Sequence, residues 1–96
     1  MGRNMELNLE ELLQDARIEY WKDEDILCVA FGNAMTSNIG EWLMEGSYEI
    51  PPIGILTELD DKTPVGLWIF GWKSYWENHI ESLPLPLQKK IKEWNS

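Results

Sequence analysis

One cysteine, one histidine and eight basic side chains leave this 96-residue chain with little of the usual chemical equipment. A single Cys28 excludes an intramolecular disulfide. Within an apolar strand a free thiol acts as a small hydrophobe, and His79 lies too far off in sequence to suggest a Cys–His pair. The eight Lys and Arg face seventeen Asp and Glu, for a formal net charge of −9. That balance repels phosphate backbones and argues against nucleic acid as a partner. Long apolar runs are also missing: the longest uncharged one, Pro64 to Trp72, is far too short to span a bilayer. The opening residues lead into an acidic segment without the apolar stretch of a signal peptide, so a cytoplasmic protein with no membrane attachment is expected. Phosphate loops, Cys/His metal spacings and nucleophile elbows are absent, and no cofactor is expected.

What is present is a heavy load of large rings and two hairpin patterns. Trp21, Trp42, Trp68, Trp72, Trp76 and Trp94 are many for this length. Such rings bury much area in a small core and equally suit interfaces. The first hairpin pattern runs Arg17–Trp21, Lys22–Asp25, Ile26–Phe31, and the second runs Gly54–Leu59, Asp60–Thr63, Pro64–Phe70. Each joins a half-polar strand to a nearly continuous apolar one across a short charged loop. In the apolar strands both alternating sets are hydrophobic, which predicts central strands covered on both faces.

Around the hairpins the periodicity is helical. Leu9, Leu12, Leu13 and Ala16 form one stripe, with Asn8 and Glu11 placed as a capping pair. Trp72, Tyr75, Trp76, His79, Ile80 and Leu83 predict a second helix that Pro84 ends, with His79 in a core or interface. Leu87, Ile91 and Trp94 predict a third helix starting near Pro86. Residues 32–53 read as loop with one irregular edge strand, since Pro51-Pro52 lacks the ladder donors. The expectation is one α+β domain over residues 1–96. It has a twisted antiparallel sheet of four or five strands, one N-terminal helix and two C-terminal helices. Short helices would leave some aromatic surface open to a partner or a second copy.

Asp25-x-Leu27-x-Val29, followed by Leu59-Asp60-x-x-x-Pro64-Val65-Gly66-Leu67-x-Ile69, resembles a family of small bacterial proteins. Its members share a D-x-L-Y-[IV] strand and a later D-x-[DE]-G-x-[IV]-[IV]-G-[IL]-E-[IL] hairpin. Some are encoded beside toxin-like proteins, so the resemblance implies an antitoxin-like role for such members. It spans roughly residues 17–70. Cys28 replaces an aromatic, Asp61-Lys62-Thr63 lacks the loop glycine, and Trp68 takes the usual glutamate position. The family pattern defines no catalytic residue to carry over.

Charge supplies the remaining candidates. Residues 1–61 hold fourteen Asp/Glu against three Lys/Arg, net −11, whereas residues 62–96 are net +2. Were the sheet a plain meander with 54–59 beside 26–31, both acidic turns would lie at one end. Asp23, Glu24, Asp25, Asp60 and Asp61 would then gather to grip arginines or a hard cation, unless they serve only solubility and turn formation. Glu10, Glu11 and Asp15 extend the acidic surface. The expectation is a non-enzymatic module binding a basic protein through Glu10, Glu11, Asp15, Asp23, Glu24, Asp25, Asp60 and Asp61. The alternatives are a small metal-dependent enzyme using the acidic turns and a structural homo-oligomer, such as a homodimer.

Overall fold

The computed structural model describes residues 9–32, 37–59 and 62–95. Five strands form one antiparallel sheet: β1 (Arg17–Trp21), β2 (Ile26–Ala30), β3 (Ser37–Met44), β4 (Ile53–Glu58) and β5 (Pro64–Phe70). Their spatial order is β1-β2-β5-β4-β3. Both expected hairpins form, β1 with β2 and β4 with β5. The long apolar strands, β2 and β5, meet at the centre, with Ile26 opposite Phe70 and Ala30 opposite Gly66. Placing the two most hydrophobic strands together keeps both away from the sheet edges, where unpaired backbone and solvent would meet them. The expected edge strand is β3, made irregular by two register shifts against β4. The small α+β architecture is as expected.

Helical segments are short. α1 (Leu9–Leu12) passes directly into a 3₁₀ turn over Leu13–Asp15, and Asn8, its expected cap, lies outside the described residues. α2 (Leu85–Asn95) buries Leu87 and Ile91 on one side. The segment between β5 and α2 departs from expectation, being 3₁₀ turns at Trp76–Asn78 and Ile80–Ser82 instead of a continuous helix. The N–H groups of Trp76 and Glu77 reach back five residues, to the carbonyls of Gly71 and Trp72. That is too wide for α-helical winding. Tyr75 and His79 leave helical backbone angles altogether. The i, i+4 spacing of Trp72 and Trp76 still delivers both rings to the core, each 1% exposed.

The core is one cluster between the helical segments and one side of the sheet. Leu27, Val29, Ile53, Ile55, Leu67 and Ile69 meet Leu13, Trp72, Trp76, Leu83, Leu87 and Ile91 there. The opposite side carries no described helix, which corrects the expectation that β2 and β5 are covered on both faces. Its apolar residues cover one another instead. Leu56 lies over Gly66 and Ile39 over Gly54, so that a Cβ added at either glycine would crowd them. Ile26, Cys28 and Leu56 are thereby buried without a second layer.

Candidate functional site

Three places on this frame carry chemistry. The first is Asp25, which closes the β1–β2 turn in the left-handed region at φ 57°, where a short polar side chain is tolerated. Its carbonyl accepts from the N–H groups of Gly71 (2.9 Å) and Trp72 (3.2 Å). Its carboxylate accepts from the Tyr20 hydroxyl at 2.8 Å and from the Lys73 N–H at 2.7 Å. The Ser74 N–H (3.3 Å) and hydroxyl (3.0 Å) complete the set. Partial burial opposes ionisation of Asp25, but the bonds from Lys73, Tyr20 and Ser74 outweigh it and hold the carboxyl below its ordinary range. Burial, the bond to Asp25 and the charges of Asp25 and Glu77 push the Tyr20 hydroxyl up to about 12. Asp25 is therefore a clasp joining the first hairpin to the segment after β5. Its expected place in a partner-binding cluster is corrected by these bonds, which already occupy both carboxylate oxygens.

The second place is the end of the sheet from which Asp23 and Glu24 project. Because β5 lies between β2 and β4, the two hairpin turns fall at opposite ends. The β1–β2 turn adjoins the Phe70 end of β5, and the β4–β5 turn adjoins its Pro64 end. The gathered acidic cluster of the meander arrangement does not form. Asp60 and Asp61 lie outside the described residues, and Leu59 and Lys62 beside them mark the far end. What joins Asp23 and Glu24 is the loop after β3. Met44 stands in the row of Ile53, Ile69 and Leu27, and Pro51 packs against Gly71 beside Asp25. Glu45 and Glu49 thus share this end, and all four carboxylates are exposed. The irregular 45–52 loop gave no periodic pattern from which strand neighbours could be inferred.

Glu10, Glu11 and Asp15 occupy a different region, on α1 and the turn after it. Glu10 lines a groove of about 610 Å³ with Leu13, Leu85, Lys89, Lys90 and Glu93. The Lys90 ammonium donates to the Gln14 carbonyl at 3.2 Å. This neighbourhood mixes both signs of charge. The six expected partner-binding residues that the structure describes therefore form no single face.

The third place is the helix-free side of the sheet. Trp21 meets Trp68 edge-on at 5.4 Å, Trp68 meets Phe70 at 6.0 Å, and Phe70 meets Trp42 at 6.3 Å. A run of rings thus crosses β1, β5 and β3. Trp42 is 46% exposed, while the other three are half-buried.

Burial pushes the Cys28 thiol up, with the Trp68 side chain only partly opposing it. Of the two settings expected for His79, the core is corrected: it is exposed and stacks on Tyr75 at 4.0 Å, its Nδ1 2.7 Å from the Tyr75 carbonyl. That backbone contact at the turn holds the ring at the surface. No group of three His, Cys, Asp or Glu side chains among the described residues converges to hold a metal ion. No described helix is long and apolar enough to cross a membrane. Comparison with protein-family models, curated proteins and solved structures finds no match.

Proposed function

We propose that this chain is a non-enzymatic, acidic protein-binding module that engages a basic protein partner, in the manner of an antitoxin or inhibitor protein. The observation that carries this reading is the exposed acidic end of the sheet, where Asp23 and Glu24 stand with Glu45 and Glu49. A net charge of −9 adds a long-range attraction for a basic surface. Arginines of the partner would be met by carboxylates able to accept paired hydrogen bonds. The antitoxin-like resemblance and the cytoplasmic setting belong to the same proposal.

The test is association kinetics with a basic protein captured on the immobilised chain. The association rate should fall steeply between low salt and about 0.15 M, where the screening length is roughly 8 Å. Reversing charge with Asp23→Lys and Glu24→Lys should slow it further and leave the fold intact, since both residues sit in an exposed turn. A rate indifferent to salt and to these reversals contradicts the proposal.

A further inference from the structure

The helix-free face is chemically unlike the rest of the surface. Its paired rows carry Arg17 and Glu19 on β1, of opposite sign, and Glu58 at the far corner. Every other side chain on those rows that the strand alternation places there is uncharged. Most charged side chains of the described residues therefore lie elsewhere, on the ends of the sheet and on the helical side. A basic partner has little to recognise in its middle. Charge depletion together with enrichment in Trp and Phe marks the central part of protein interfaces.

We infer that this face docks a second copy of the chain, sheet against sheet, in a two-fold dimer. Three features select that occupant. On this face two chains of charge −9 can approach without setting carboxylate clusters against each other. Arg17 and Glu19 lie two residues apart on one edge strand. A two-fold axis crossing that edge between them sets each residue against the oppositely charged one of the other copy. The surface is also a sheet already levelled by Ile39 over Gly54 and Leu56 over Gly66, which suits packing against an identical sheet about 10 Å away. Five strands about 4.8 Å apart and about 17 Å long give roughly 400 Å² in plan per copy, and side-chain relief raises the accessible area above that. Two such faces reach the low end of specific interfaces, so the dimer is weak and reversible. The acidic end remains outside the interface, which leaves the dimer able to present two copies of it.

Sedimentation velocity over about a hundredfold range of concentration tests this, because a dimer's population follows mass action. The wild-type chain should pass from monomer to dimer. Added salt should favour the dimer by screening repulsion between the acidic copies, the opposite of its effect on a basic partner. Trp42→Glu should raise the midpoint concentration by about tenfold or more, because it places a charge in the desolvated patch. Trp42 is already half in solvent, and an unchanged thermal melt would show that the fold survives. Arg17→Glu, at an exposed position, should weaken the dimer by a smaller factor with no risk to the core. A chain that stays monomeric at the highest concentration overturns the inference. A dimer whose midpoint is the same in Trp42→Glu and Arg17→Glu overturns it too, since its interface then lies elsewhere.

Discussion

The two sides of this sheet solve the same problem in different ways. On one side, Leu27, Val29, Ile53, Ile55, Leu67 and Ile69 are sealed by the helical segments, and Trp72 and Trp76 fill the space between. On the other, Trp21, Trp68, Phe70 and Trp42 rest on one another and keep part of their surface in water. Burial by a second layer turns aromatic area into stability. Mutual shielding within one layer leaves part of it unspent for association. The difference lies in where the described helical segments pack. After β5 come two 3₁₀ turns and one helix of 11 residues. Those segments all pack on the same side.

Truncation should separate the two sides most sharply. Trp76→Ala removes a ring that is 1% exposed, and the expected loss is about 3–5 kcal/mol, a large share of what a domain of this size has. Chemical denaturation should find the variant unfolded or severely weakened. The Trp76 indole N–H has no acceptor among the described residues, so Trp76→Phe should retain much of the stability that Trp76→Ala loses. A Trp76→Ala chain as stable as wild type would mean that the helical segments do not seal this side.

Next in size is the clasp that holds the segment after β5 against the covered side. Asp25→Ala strips four acceptor contacts from Tyr20, Lys73 and Ser74, and a loss of about 2–3 kcal/mol is expected, the scale of hydrogen bonds to a charged group. Acid should act on the same clasp. Because the folded-state carboxyl titrates below its ordinary value of 3.8, its contribution is fully present above about pH 4 and is lost as pH falls through the folded-state value. Tyr20 gives the mirror case: raised from 10.0 to about 12, it contributes below pH 10 and loses that contribution as pH rises toward 12. Melting curves from pH 2 to 5 should lose part of their acid slope in Asp25→Asn. Those from pH 9 to 12 should lose part of their alkaline slope in Tyr20→Phe. Slopes identical to wild type would remove the clasp from the account.

The smallest effect belongs to the open side. Trp42→Ala should cost no more than about 1 kcal/mol, as for a substitution at a half-exposed surface site, while weakening self-association. A loss as large as that from Trp76→Ala would mean that Trp42 is sealed and the two sides are alike.

Much of this contrast was legible from residue order, and the reason it was incomplete is physical. Alternation and charged loops identify both hairpins, because period-two patterns survive without knowledge of neighbours. The same patterns do not say which hairpin strand adjoins which, and that choice decides where the turns go. With β5 beside β2, the acidic turns part company, and Asp25 meets Lys73 and Ser74, 48 and 49 residues away. Apolar residues on both sides of β2 and β5 suggested two covering layers. Glycines at 54 and 66 let Leu56 and Ile39 lie flat and do part of that work within one layer. The Trp72–Leu83 stripe has helical spacing, yet wide turns place Trp72 and Trp76 in the core equally well.

The most direct test of the contrast between the two sides is hydroxyl-radical footprinting of the tryptophans at a concentration low enough for the chain to be monomeric, read residue by residue by mass spectrometry. Trp42 should oxidise fastest, Trp21 and Trp68 at intermediate rates, and Trp72 and Trp76 scarcely at all until the chain unfolds. Comparable rates at Trp42 and Trp76, or a protected Trp42 in the dilute monomer, would contradict a sheet with one sealed side and one open side.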